Sequence, residues 1–264
     1  MLYAQKIEKQ RQRYYSGARS IMRKALRSYT DALMIEVNKA TTPQQIITAS
    51  EKPIQSDKIH AAMRKLYGNT LPFFANQTVR QLKPKKAIAP DPIETDYWQE
   101  YIDKFVKMRL ADRIKLVGET TADVFQSIAR KVVDEAIREG WGVDTIAKNL
   151  MKELNISERY RAERIARTEV VSASNEGSLA GANSTGLDMV KEWISFIDDK
   201  TRDSHRNIPQ GVGGESVEID GIFSNGLQYP GDPSGLGEEV INCRCTIGYK
   251  IKDSNFEIGR TINE

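Results

Sequence analysis

The chain changes its sequence pattern once, at Gly186, and that change constrains the fold more than any other feature. Upstream, apolar residues recur at helical intervals: Ile21, Leu26, Tyr29, Leu33 and Val37, then Ile59, Met63, Leu66, Phe73 and Leu82, then Ile102, Val106, Leu110, Ile114 and Val117. Val124, Ile128, Val132 and Ala136 continue the series every four residues. Spacings of three to four put such residues on one face of a helix. Downstream, residues 191–197 are rich in β-branched and aromatic types, and a glycine-rich loop through Gly211, Gly213 and Gly214 follows. Ser216 to Ile219 and Cys245 to Ile251 are shorter strand candidates. Helices first and strands afterwards define an α+β chain: a long helical N-terminal region, then a small module of helix plus antiparallel sheet with long loops.

Proline and glycine set the expected boundaries. Thr41-Thr42-Pro43 ends the first helix, and the second, from Ser56 to Lys83, is expected to break near Gly68 to Pro72. Pro84, Pro90 and Pro92 fall within ten residues without helical period, which predicts an extended hinge over 84–92. Gly118 is expected to stop one helix and Thr120 or Thr121 to cap the next, making a hairpin that ends at Gly140. Asp144 opens a short helix through Leu154, and Ser157 caps a longer one running to Gly181 or Gly186. The expected organisation is a basic helical arm over 1–83, the hinge, a helical hairpin region over 93–156, an α+β domain over 157–251 and a tail over 252–264.

Charge divides the chain. Lys6, Lys9, Arg11, Arg13, Arg19, Arg23, Lys24 and Arg27 face Glu8 alone in the first 27 residues, a local charge of +7, whereas residues 188–239 sum to −7 and the whole chain to +3. A basic helical segment is drawn to phosphate backbones or acidic protein surfaces by Coulomb steering and counterion release, so these eight cations are candidate nucleic-acid contacts. A solvated helix face is the competing reading. No run of about 18 apolar residues is present to span a membrane, and the N-terminus lacks a secretory apolar stretch, so synthesis without membrane insertion is expected.

The reactive side chains concentrate between Trp193 and Cys245, which hold both cysteines and His205, one of two histidines. The other, His60, stands alone on a helical segment and reads as a surface or packing residue. A bridge within Cys243-Arg244-Cys245 would close a small strained ring, so free thiols are expected. His205, Cys243 and Cys245 are three candidate zinc ligands, with Asp198, Asp199 or Asp203 able to supply a fourth. The alternative is a metal-free network in which Asp198, Arg202, His205, Asn242 and Arg244 tie the closing segment to the first strand by charge-assisted hydrogen bonds. Carboxylates with a histidine, here Asp198, Asp199, His205 and Glu169, could also serve a metal nuclease. Phosphate loop, HExxH and GxSxG motifs are all missing, and no recognition-helix or zinc-finger spacing supports a stand-alone DNA-binding regulator.

Ile165-Ala166-Arg167-Thr168-Glu169, followed by Ala173, Asn175 and Gly177, then Trp193, Asp198, Thr201, Arg202 and His205, and finally Ile241-Asn242-Cys243-Arg244-Cys245, resemble the phage Mu F-like head morphogenesis family of tailed bacteriophages. The resemblance covers about residues 157–250. It implies a non-enzymatic structural protein of the virion, inside the procapsid beside the portal vertex, assisting head assembly and DNA packaging or ejection. Implied partners are the portal protein, capsid or scaffolding protein, and double-stranded DNA bound without sequence preference. A metal-dependent DNA-processing enzyme or a stand-alone DNA-binding protein is the alternative. Other members carry a Cys-x-x-Cys pair where this chain has Arg202 to His205, and a histidine ahead of the Asn-Cys-Arg-Cys segment that is missing here. Zinc is thus an option rather than an expectation, and no cofactor is expected.

Overall fold

The computed structural model describes residues 2–54, 56–82 and 95–259. The expected hinge at 84–92 lies outside the described residues. Six helices come first: α1 (Tyr3–Val37), α2 (Pro43–Ser50), α3 (Asp57–Leu82), α4 (Thr95–Met108), α5 (Ala111–Glu139) and α6 (Val143–Ser184). Then follow β1 (Met189–Ile194), β2 (Ser216–Glu218), a short helix α7 (Gly237–Val240), β3 (Thr246–Ile251) and β4 (Glu257–Ile258). The described strands form one antiparallel sheet in the order β2-β1-β3-β4. Helices first and a small sheet after them is the expected α+β arrangement.

Several helix boundaries differ from those the sequence suggests, each for a packing reason. α5 runs unbroken through Gly118, because a Cβ there would lie 2.8 Å from Ser56 Oγ and the glycine serves close approach rather than termination. α3 likewise continues through Pro72, which removes one backbone donor but not the flanking contacts that hold the helix against α6. The sequence break expected between Leu154 and Ser157 is absent, and α6 is a single 42-residue helix. Sequence reading also missed α2, although Thr42 and Gln45 form a reciprocal capping box with Pro43 at the first helical position. β4 was missed as well; it is two residues long and falls in the expected tail.

The N-terminal region is not an arm. Ala18, Met22, Ala25 and Leu26 of α1 are buried in one core with Tyr67, Leu71 and Ala75 of α3 and Ala162, Ala166, Val170 and Ala173 of α6. Burying each large side chain contributes about 1.5–3 kcal/mol, so a run of them fixes α1 to the rest of the chain. α3 and α6 approach closely at Gly177 and Gly181, where an added Cβ would stand 2.3 Å from the Leu71 and Ala75 carbonyl oxygens. A second core joins the C-terminal half of α1 to α2, α5 and the start of α6 through Val37, Ile46, Phe125, Val132, Ile146 and Leu150. The third lies between the sheet and the end of α6, where Met189, Trp193, Ile247 and Tyr249 meet Leu179, Ala182 and the loop residues Phe223, Leu227 and Tyr229. The C-terminal end of α6 thereby becomes the platform on which the polar motif is assembled.

Candidate functional site

Alternation along β1 turns Met189, Lys191 and Trp193 to the buried face. Trp193 packs edge-on against the His205 ring, with centroids 4.9 Å apart, and His205 sits in a 3-10 turn over Asp203–His205 whose carbonyl accepts from Ser195 Oγ. The ring is oriented by what it touches. His205 Nε2 lies 2.7 Å from Glu239 Oε2 on α7, and the Ser204 hydroxyl donates to the same carboxylate at 3.1 Å. With a carboxylate acceptor at Nε2, that nitrogen carries the proton and the Nδ1 lone pair faces Cys243 and Cys245, whose sulfurs are 3.6 and 3.8 Å away.

The three donor atoms of His205, Cys243 and Cys245 all lie within 4.8 Å of one another and are buried. Both cysteines are free thiols. A hydrogen bond between them, reinforced by burial, pushes Cys243 well above its ordinary thiol range, and the same bond pulls Cys245 well below it. The set offers two sulfurs and one imidazole nitrogen, three of the four donors a structural zinc takes, with Glu239 placed to orient the histidine from behind. None of Asp198, Asp199 and Asp203 joins these donors among the described residues: Asp198 pairs with Arg244, Asp199 is exposed, and Asp203 pairs with Arg206. Glu239, which no sequence motif singled out, is the carboxylate that reaches the histidine.

The charge network is present as well. Arg244 grips Asp198 with two bonds of 2.6 and 2.7 Å and lies over the Phe196 ring at 4.4 Å. That pairing holds the Asp198 carboxyl down at about 2. Thr201 hydroxyl and Lys200 N–H also bond Asp198 Oδ1, and Arg202 donates to the Ile241 carbonyl at 2.6 Å. Asn242 takes a left-handed conformation, φ 56°, which asparagine tolerates better than most residues, and its N–H donates to Thr168 Oγ1 on α6. The metal-ligand and network readings of the sequence thus describe neighbouring atoms of one segment.

Asn175 is the hub beneath this segment. Its Nδ2 donates to the carbonyls of Pro230 and Cys245, and its Oδ1 accepts from Arg11 Nη2 at 2.9 Å and from Thr246 Oγ1 at 3.0 Å. Arg11 reaches in from α1, fully buried, and also donates to Ser174 Oγ and to the carbonyls of Arg244 and Cys245. This corrects its reading as a nucleic-acid contact, because a guanidinium with no accessible surface cannot meet a phosphate. Arg23 and Arg27 are also engaged, both with the buried Glu158 of α6. Lys6, Lys9, Arg13, Arg19 and Lys24 are exposed.

Arg167 and Glu169 point apart, as their spacing on a helix requires. Arg167 is exposed, whereas buried Glu169 accepts from Tyr67 Oη at 3.0 Å and Arg113 Nη1 at 3.3 Å. Arg113 continues to the carbonyls of Asp232 and Pro233, and Arg109 pairs with Asp232 at 3.2 Å. Two turns further along α6, buried Glu176 accepts from Tyr101, and burial raises its carboxyl above the usual range. These partners were not legible in the sequence, since each comes from a different helix. Asp198, Glu169 and His205, the residues a hydrolytic site would need together, are each bound to different partners. Lys191 is the outlier of the sheet: it occupies a core position of β1 with no hydrogen-bond partner among the described residues, its Nζ is 5.6 Å from the Phe223 ring, and burial lowers it to about 8.

Residues 127–248 match the family model described as Phage Mu protein F like protein. Among curated proteins the chain is similar to the NAD(+)--arginine ADP-ribosyltransferase EFV of Enterococcus faecalis, 28% identical over 166 residues that make up 61% of this chain and 32% of that protein. It is also similar to Minor head protein GP7 of Bacillus phage SPP1, 24% identical over 139 residues, 52% of this chain and 44% of that one. The chain spans about a third and under half of the lengths of these two relatives. No solved structure matches it.

Proposed function

We propose, from the match of residues 127–248 to the phage Mu F-like family model, that the protein is a minor head protein of a tailed bacteriophage, a structural component inside the procapsid near the portal vertex that assists head assembly and DNA packaging or ejection. The observation that carries this reading is the use to which the motif residues are put. Thr168, Asn175, Asp198, Arg202, Asn242 and Arg244 bind one another or nearby backbone across α6 and the closing segment, which suits a rigid building block better than a reaction centre. Similarity to Minor head protein GP7 over more than half of this chain supports it. Its partners are then the portal protein, capsid or scaffolding protein, and double-stranded DNA held without sequence preference. No described helix is long and apolar enough to cross a membrane.

The protein works without catalysis in this reading. The ADP-ribosyltransferase relative is matched over 32% of its length, so the activity in its name is not carried over to this chain. His205, Cys243 and Cys245 would hold zinc, which would lock the closing segment to the 3-10 turn beside the Asp198–Arg244 pair. The test is localisation. Mass spectrometry and immunogold cryo-EM of procapsids and filled heads should find the chain inside, at the portal vertex. Its absence from heads, or its display on the outer capsid surface, contradicts the proposal. Release of nicotinamide from NAD by the purified chain, or metal-dependent cleavage of DNA lost in His205→Ala, would replace it with an enzyme.

A further inference from the structure

Most arginines in the described chain have partners. Arg13, Arg19, Arg80, Arg159, Arg164 and Arg167 have neither a hydrogen bond nor an ion pair among the described residues. Three of these six, Arg19, Arg159 and Arg167, line one groove. It runs along the seam where α1 and α6 pack antiparallel, as the pairings Arg27 with Asn155, Arg23 with Glu158 and Arg11 with Ser174 establish. The groove consists of two adjoining hollows of about 470 and 310 Å³ that share Arg19 and Glu163. Arg23, Arg159 and Tyr160 complete the first, and Glu8, Gln12, Tyr15, Ser16 and Arg167 the second.

We infer that this α1–α6 groove binds the phosphodiester backbone of double-stranded DNA. The proposal rests on the head-protein reading for its biological setting and names the surface that would touch DNA there. Three unpartnered guanidiniums, Arg19, Arg159 and Arg167, face Glu163 and Glu8, while Arg23 pairs with Glu158; Glu8 is buried and already accepts from the Tyr15 hydroxyl. Arg19 and Arg23 lie one helical turn apart, about 6 Å along the axis, and Arg159 and Arg167 two turns apart, so cations recur in rows of the kind a repeating phosphate charge requires. Arginine is suited to phosphate because its planar fork donates two parallel hydrogen bonds. Tyr160, 73% exposed, offers an apolar ring to deoxyribose beside these charges. An acidic protein surface would also be attracted to the cations, but it has no regular charge repeat and no sugar for Tyr160. Contacts to phosphate and sugar carry no sequence information, so binding should be blind to sequence.

The test is fluorescence anisotropy of a labelled 30-base-pair duplex of arbitrary sequence with the full chain, titrated at several salt concentrations. Three phosphate contacts predict a slope of log affinity against log salt of about −2.7. The variant Arg19→Gln/Arg159→Gln/Arg167→Gln should remove nearly all of that slope and weaken binding at least about 30-fold near 100 mM salt. The charge-matched variant Lys65→Gln/Arg80→Gln/Lys104→Gln, on exposed positions of α3 and α4, should change affinity less than about threefold. Equal losses in both variants, an unaffected groove variant, or no binding by the parent chain would each overturn the proposal. Displacement of the duplex by poly-glutamate at equal charge concentration would overturn it in favour of an acidic protein partner. The assay uses no heads, so its failure leaves the procapsid localisation to be judged separately.

Discussion

Arg11 and Arg19 stand two turns apart on α1 and do opposite things. The first is fully buried, with five donor contacts to Ser174, Asn175 and the closing segment's carbonyls or the nearby Glu8 carboxylate. The second is exposed, unpaired among the described residues and turned to a groove. The same contrast separates the two regions they belong to. Around Cys243 to Cys245 nearly every polar atom has an internal partner, and around Glu163 the cations have few. A saturated polar cluster specifies one structure; an unsaturated one is available to a ligand.

Removing Arg11 should break the first region most severely. Arg11→Ala removes the guanidinium donor from Ser174 Oγ and the Arg244 carbonyl and one of two donors from Asn175 Oδ1 and the Cys245 carbonyl, and is expected to lower stability by about 3–5 kcal/mol in urea unfolding. A loss under about 1 kcal/mol would mean that water replaces the guanidinium and that the cluster is not saturated after all. The triple groove variant should shift the same urea midpoint by less than about 0.5 kcal/mol per site, because those side chains hold nothing inside.

Lys191 tests the saturated region from the other direction, because among the described residues its ammonium has no hydrogen-bond partner and meets only the Phe223 ring. Its folded pKa, about 8, lies below the ordinary lysine value of 10.5, so the unfolded chain holds the proton more tightly. Stability should therefore rise as pH climbs from 8 towards 10.5, and Lys191→Met should be more stable than the parent at pH 7 by roughly 1–3 kcal/mol with that rise abolished. A destabilised Met variant would show that Lys191 has a partner of its own.

At the metal donors, purified protein is expected to carry one zinc per chain, lost in Cys243→Ser/Cys245→Ser by elemental analysis. Glu239→Gln should weaken zinc affinity by about 10-fold, and nitrogen NMR should show the proton moving off its fixed place on His205 Nε2. Unchanged affinity in that variant would remove Glu239 from its orienting role. The smallest effect is expected at Asp198. Its carboxyl is depressed to about 2 by Arg244, so the stability it contributes is present above pH 4 and lost as pH falls towards 2. Asp198→Asn should unfold at lower urea at neutral pH and lack that part of the acid transition; identical acid profiles would assign the pair no net stabilisation.

The apolar periodicities of α1, α3, α5 and α6 were legible because burial writes a 3.6-residue rhythm into any helix that covers a core. Trp193, Asp198, Arg202, Asn242 and Arg244 were legible as a set because their order along the chain resembles a known family. Boundaries were misread where glycine and proline serve packing. Gly118 admits Ser56 and Gly177 admits Leu71, and a sequence does not distinguish a glycine that ends a helix from one that lets another helix close in. Arg11 was misread for a related reason: a cation in a basic run looks like its neighbours until the helix face it occupies is known.

By itself the sequence determined the α+β class and the order of helices before strands, because both are written in local spacing, and resemblance to a known family implied the pairing of a helical motif with a distant Asn-Cys-Arg-Cys segment. Only the tertiary structure decided which arginines were buried and which were left facing solvent, that Glu239 orients His205, and that Glu169 belongs to Tyr67 and Arg113. Those choices depend on which face of one helix meets which face of another, and residues 102 or 163 positions apart carry no local mark of meeting.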